Sequence, residues 1–191
     1  MPARDVHNRC GNHRIDDSQK HTRFKPSVHT MGSTMATYGG QNVGAGELER
    51  VDRGLKSCVI LGIIYALIAA AVIYIAGRYL LLLFLDAGET AILDNAYTFI
   101  RTNAAFFMFL ALVNIVRFLI QGMGYSKLAV FAGAFEMLAR GLMGFALVPH
   151  FGFRAVCFAN PLAWVFADIF LIPAYIHVRR KTALMLARDS A

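Results

Sequence analysis

The sequence predicts an all-α, polytopic membrane protein with four transmembrane helices, and three observations favour this fold class. Hydrophobic residues make up 57% of the 191 residues, more than in ordinary soluble domains, and the mean hydropathy is +0.51. From Ser57 to Ala76 no charged residue interrupts the chain, and about 20 apolar residues suffice for a helix to cross a hydrocarbon core. Basic residues collect outside the apolar segments, as they do beside membrane spans.

Four apolar segments are long enough to span a bilayer. They comprise residues 57–85, 96–124, 128–148 and 155–178. The connections Gly122–Lys127 and Pro149–Arg154 are short, so the helices that they join are predicted to be antiparallel neighbours. Pro161 and Pro173 each remove a helical hydrogen bond from the last segment, which is typical of membrane helices that are buried or line a cavity.

The lysine and arginine residues favour one orientation in the membrane. Those expected on one side are Arg50, Arg53, Lys56, Lys127, Arg179, Arg180, Lys181 and Arg188. The loops on the other side contain Arg78 and Arg154. Because basic residues are enriched on the cytoplasmic side, both termini are predicted to be cytoplasmic, with residues 182–191 as a cytoplasmic tail.

Residues 1–34 form a polar segment that is predicted to have no fixed structure. His7, Cys10 and His13 have a spacing found in zinc sites, but the absence of flanking structure argues against a metal site. The net charge of +7 lies largely here and beside the apolar segments. No aromatic residues alternate with the basic ones, so nucleic acid is not an expected partner.

The second apolar segment carries a polar stripe. On one straight helix, with about 100° per residue, four polar side chains share a face. They are Asn103, Asn114, Arg117 and Gln121. Because a stripe of this length is costly to place against lipid, these residues are predicted to face a helix bundle or a substrate cavity.

Two acidic residues lie inside the later apolar segments. Glu136 and Arg140 are four residues apart, which predicts an intramembrane ion pair on one helix face. This pair either fixes its helix to neighbours or takes part in ion or substrate passage. Asp168 has no basic residue at helical spacing and is a further candidate for the substrate cavity.

A glycine-rich stretch, Thr37–Gly46, precedes the first apolar segment. Gly39 and Gly44 have the spacing of a phosphate-binding loop, but Ala45 occupies the position of its lysine. Glu49 stands where a dinucleotide-binding fingerprint needs its third glycine. Nucleotide binding is therefore not predicted. No catalytic motif appears in the chain either, so an enzyme is not expected.

Four stretches, taken in order, resemble the multidrug and toxic compound extrusion (MATE) transporters. MATYGGQNVGAGELERVDRGL (Met35–Leu55) resembles the cytoplasmic loop before the ninth helix of that family. The loop motif consists of Gly40, Gln41, Asn42, Gly44 and Gly46. RFLIQGMGYSK resembles the end of the tenth helix, FEMLARGLMGF the eleventh and GFRAVCFANPLAWVFADIFLIPAYI the twelfth.

The resemblance implies that residues 35–181 hold helices nine to twelve, a part of the C-terminal lobe without helices seven and eight or the N-terminal lobe. The loop glycines are then expected to turn the chain at the membrane surface. The family sits in the plasma or inner cell membrane and exports drugs and small organic cations. Since alternating access requires two lobes, four helices are expected to be inactive alone.

The resemblance also implies Na⁺ or H⁺ as the coupling ion and no cofactor besides it. The coupling carboxylates of the family lie on helix one or on helices seven and ten. The segment that matches helix ten contains no carboxylate between Asn103 and Gln121.

An alternative function is that of a small four-span membrane adaptor or dimerising subunit. Gly62, Ala66 and Ala70 are spaced four apart on the first apolar segment. Small residues at this spacing allow a second helix to approach closely.

Overall fold

The computed structural model describes residues 28–83 and 90–189, and these residues form helices joined by short turns. The helices are α1 (Val28–Gly44), α2 (Leu48–Leu82), α3 (Thr90–Ala105), α4 (Phe107–Gly122), α5 (Ser126–Leu142), α6 (Val148–Phe151) and α7 (Phe153–Asp189). A π-helical turn, Met143–Leu147, joins α5 to α6. No strand occurs among the described residues, and the predicted all-α class is confirmed.

Three helical stretches are long and apolar enough to cross a membrane: α2, Ser126–Phe151 and α7. Helices α3 and α4 make a fourth span if the two are counted together. Helix α2 begins before the first predicted span, and α7 ends after the fourth. Accordingly α7 passes through both prolines and includes residues 182–189 of the predicted tail.

The second predicted span is bent rather than straight. Helices α3 and α4 meet at an angle of 53° around Phe106. There the backbone N–H of Phe106 donates to the carbonyl of Asn103 at 3.0 Å, and the N–H of Phe109 donates to the carbonyl of Phe106 at 3.0 Å. These bonds reach back three residues instead of four, which tightens the turn and redirects the chain.

Helix α4 is the centre of the bundle and packs against α1, α2, α5 and α7. Its fully buried side chains include Val113, Ile115, Leu119 and Ile120. A helix that is apolar on nearly all sides is expected in such a position. The outer helices instead expose large apolar side chains over much of their length, a pattern that suits contact with lipid.

Helix α1 corrects two predictions. The segment without fixed structure was expected to extend to residue 34, but the helix begins at Val28. Residues 1–27 lie outside the described part of the chain. The expected loop motif is mostly helical: Gly40, Gln41, Asn42 and Gly44 belong to α1.

The glycines of α1 serve helix packing more than turning. A Cβ atom on Gly40 would lie 3.0 Å from the carbonyl oxygen of Gly122, and one on Gly122 would collide with the backbone of Ala36. The two backbones therefore approach as closely as small residues permit. Within the motif, Gly46 is the residue with a positive φ, +77°, in the turn that leads into α2.

The basic ends of three elements meet at one end of the bundle. Arg179 of α7 forms an ion pair with Asp52 of α2 at 2.6 Å, and the hydroxyl of Tyr175 donates to the same carboxylate at 2.7 Å. The ammonium of Lys181 lies 5.5 Å from the ring centre of Tyr125, in the turn between α4 and α5. The residues used to predict a cytoplasmic side therefore share one end; the orientation itself stays a prediction.

The small-residue face of α2 is used inside the chain. Gly62 and Ala66 are buried, and a Cβ atom on Gly62 would lie 2.8 Å from Cδ1 of Ile115 in α4. Helix α4 therefore packs on this face at Gly62, while Ala70 is half-buried. The adaptor function stays a prediction.

Candidate functional site

Two arginines share one glutamate between α4 and α5. Arg117 Nη2 lies 2.6 Å from Glu136 Oε2, and Arg140 Nη2 lies 2.6 Å from Glu136 Oε1. The tight turn at Gly124, with φ +93°, returns α5 along α4 and so brings Glu136 opposite Arg117. The spacing of Glu136 and Arg140 indicated their contact, but the third member, Arg117, comes from a different helix.

The burial of this triad differs from one member to the next. The side chain of Glu136 is 13% exposed and that of Arg117 is 24% exposed, whereas that of Arg140 is 44% exposed. With all three groups charged, the triad carries one net positive charge. Its most buried contact is the one between Arg117 and Glu136.

Asp168 is buried in α7 without a hydrogen-bond partner. The residue is 4% exposed, and neither carboxylate oxygen has a partner among the described residues. Its neighbours Ala167 and Leu171 are fully buried apolar residues. Such an arrangement is unusual, since buried polar groups are nearly always hydrogen-bonded.

A cavity of about 350 Å³ opens beside the triad, between α1, α4, α5 and α7. Its walls contain His29, Leu110, Val113, Asn114, Arg117, Phe118, Glu136, Arg140, Asn160 and Trp164. Asp168 lies one helical turn beyond Trp164 and two turns beyond Asn160, on the same face of α7. The cavity therefore combines charged, amide and aromatic groups.

A second, mostly apolar cavity of about 390 Å³ adjoins the first. The two share His29, Leu110 and Asn114. The second adds Tyr65, Ala66, Ala69 and Phe107. An apolar compartment next to a charged one suits a ligand that has both kinds of surface, because each part finds a matching wall.

The predicted polar stripe is divided by the bend at Phe106. Asn114 and Arg117 line the cavity, while Asn103 belongs to α3 and donates its amide N–H to the carbonyl of Phe99 at 2.8 Å. Gln121, near the end of α4, is exposed. The prediction of a common face assumed one straight helix. Because the segment bends at Phe106, Asn103 does not share a face with Asn114 and Arg117.

The lining residues that were not predicted as site residues from the sequence include His29, Asn160 and Trp164. Trp164 and Asn160 stand four and eight residues before Asp168, so the helical period offered a signal. His29 reaches the cavity because α1 packs along α4, where its ring lies edge-on to Phe118 at 5.8 Å. The residues of the zinc-like pattern, His7, Cys10 and His13, lie outside the described part of the chain.

The apolar spans and buried polar groups together define a multi-pass membrane protein with an internal polar site. The chain belongs to the MatE family, whose model matches residues 27–145. The match includes α1 and so begins before Met35, and it ends before α7. Members of this family are transporters rather than enzymes. Neither a search of curated proteins nor a search of solved structures finds a match.

Proposed function

We propose that this chain supplies a wall of the substrate cavity in a drug:cation antiporter of the MATE type. The observation that carries the proposal is the pair of adjoining cavities, one charged and one apolar, in a chain of the MatE family. The aromatic and amide groups of these walls fit small organic cations with aromatic or aliphatic surfaces. The complete transporter would use Na⁺ or H⁺ as the coupling ion in the plasma or inner cell membrane.

The aromatic walls provide the apolar contribution to binding. Phe107 and Trp164 lie with their ring centres 6.5 Å apart, and each lines one of the two cavities. Aromatic rings attract organic cations through their negative faces, and this attraction grows where water is excluded. Asn114, which lines both cavities, adds a polar group that can orient the ligand.

Transport in the proposed function requires the other lobe. The resemblance assigns the described helices to one lobe, and alternating access in transporters of this kind depends on two repeats that rock around a central site. We therefore expect this chain to bind a substrate cation without exporting it.

The binding test measures tetraphenylphosphonium association with the purified chain in lipid nanodiscs by equilibrium dialysis. We expect saturable binding that Phe107→Ala weakens about tenfold, because one aromatic wall is removed. Phe131→Ala is the matched control, since Phe131 is 58% exposed on α5 and outside both cavities. Binding that fails to saturate, or that responds equally to both variants, would refute the cavity assignment.

The transport test measures ethidium accumulation in cells without other drug exporters. We expect the chain alone to leave accumulation unchanged. Export by this chain alone, abolished by Asp168→Asn, would contradict the requirement for a second lobe.

A further inference from the structure

We propose that Asp168 binds a proton and that its protonation state determines whether Arg117 pairs with Glu136 or with Asp168. The inference deepens the proposed function, on which its role in transport rests. Asp168 is 4% exposed, and both of its carboxylate oxygens lack a partner among the described residues. A carboxylate in this environment is unfavourable in its charged form. An isolated buried charge is unfavourable, so such a group either takes a proton or acquires a counter-charge.

Arg117 can supply a counter-charge from the neighbouring helix α4. Its Nη2 is held by Glu136 at 2.6 Å, but its Nε is buried and has no partner among the described residues. The guanidinium thus has an unused donor, and Asp168 has unused acceptors. Arg117 lines the cavity together with Trp164, which lies one helical turn from Asp168 on α7.

Glu136 can release Arg117 without becoming isolated. Its other oxygen accepts from Arg140 at 2.6 Å, so the pair within α5 persists when Arg117 leaves. Two arrangements therefore leave no buried charge without a partner of opposite charge. In the first, Asp168 is protonated and Glu136 binds both arginines; in the second, Asp168 is ionised and binds Arg117 while Glu136 keeps Arg140.

Charged groups on the other elements that pack against α7 either contact other residues or are exposed. On α3, Asp94 pairs with Arg78 of α2 at 3.3 Å, and Arg101 lies 5.5 Å from a tyrosine ring of α2. His150 of α6 is exposed. The exchange therefore involves the groups of α4, α5 and α7 already named.

A proton suits Asp168 better than a metal ion. The described residues contain no group of three His, Cys, Asp or Glu side chains that could hold a metal. Hard cations need several oxygen ligands, whereas Asp168 lies among apolar neighbours such as Ala167 and Leu171. A single carboxyl group is sufficient for a proton.

The exchange alters the charge beside the cavity. The proton bound by Asp168 comes from the aqueous phase, and the four side chains then carry one net positive charge. When Asp168 releases the proton, the two acids and two arginines sum to zero. An organic cation is repelled when Asp168 is protonated and is admitted when Asp168 is ionised. The proton and the organic cation therefore compete for binding at this cavity.

Infrared titration of the full chain in lipid membranes tests the site without relying on transport. We expect a carboxylic-acid C=O band that disappears as the pH rises and that is missing from Asp168→Asn. Asp52→Asn is the matched control, because Asp52 is already paired with Arg179 at 2.6 Å, and it should leave the band unchanged. Identical spectra for the unmodified chain and Asp168→Asn would overturn the proposal.

A second variant retains Asp168 and tests the exchange of partners. In Arg117→Gln the counter-charge is gone, so the midpoint of the band should move upward by about one pH unit or more. An unchanged midpoint would refute the exchange. If Na⁺ but not choline removes the band at constant pH, a metal cation displaces the proton, and the assignment of Asp168 to a proton in preference to a metal ion is overturned. A positive titration without tetraphenylphosphonium binding would refute the proposed function and leave the proton site standing.

Discussion

At the scale of single residues, the triad of Arg117, Glu136 and Arg140 shows why one carboxylate can matter more than either of its partners. Glu136 is the most buried of the three and accepts a 2.6 Å bond from each arginine. Removing an arginine leaves one ion pair intact. Removing the glutamate leaves Arg117, which is 24% exposed, with no counter-charge from that position.

We therefore predict that Glu136→Gln lowers the free energy of unfolding by about 3 kcal/mol, a typical cost of breaking a buried ion pair. Arg140→Gln should cost less than about 1 kcal/mol, as is usual for an exposed pair. Detergent unfolding followed by fluorescence can compare the two, because Trp164, the only tryptophan of the chain, lines the same cavity. Equal losses for both variants would contradict the unequal burial.

At the scale of the helices, the contact between α1 and α4 decides what the glycine-rich stretch does. Gly40 and Gly122 bring the two backbones together, and the side chains around them, including Met35 and Leu119, are buried. The glycines were expected to form a loop because glycine is common in turns. In the structure most of them lie on a helix, where lack of a side chain permits close packing.

Gly122→Ala should destabilise the bundle by about 1–3 kcal/mol, because the new methyl group overlaps the backbone of Ala36. Gly133→Ala is the matched control: a Cβ atom there meets nothing within 4 Å, so this variant should be neutral or up to about 1 kcal/mol more stable. Thermal unfolding midpoints of the two purified variants provide the measurement.

The labelling of Cys58 gives a second readout of the same contact. Its sulfur lies 4.0 Å from the carbonyl oxygen of Met31 in α1. Loosening of α1 by Gly122→Ala should therefore increase the rate of maleimide labelling at Cys58 in a chain whose other cysteines are replaced by serine. Equal rates in the two glycine variants would show that α1 does not depend on this approach.

At the scale of the whole molecule, the distribution of charge predicts an orientation. The start of α2, the turn between α4 and α5 and the end of α7 share one end of the bundle through the contacts of Asp52 with Arg179 and of Lys181 with Tyr125. Most lysine and arginine residues outside the first 27 positions belong to these three elements. The positive-inside rule places such an end in the cytoplasm.

Reporter fusions after Ala191 test this orientation. A green fluorescent protein should be fluorescent there and an alkaline phosphatase inactive, because the fusion point is expected in the cytoplasm. A fusion after Arg154, in the loop expected on the opposite side, is the control and should give the reverse pattern. Active phosphatase after Ala191 would invert the assignment of sides.

The sequence by itself determined the helical membrane class, the approximate spans and the pairing of Glu136 with Arg140, since hydropathy and helical spacing are local properties. The structure also showed the bend at Phe106, which hydrogen bonds between nearby residues form. Tertiary structure alone decided the packing role of the glycines in α1 and the pairing of Arg117 with Glu136 across two helices. Both depend on contacts between residues far apart in the chain. Spacing within one helix carries no information about what a neighbouring helix places opposite it.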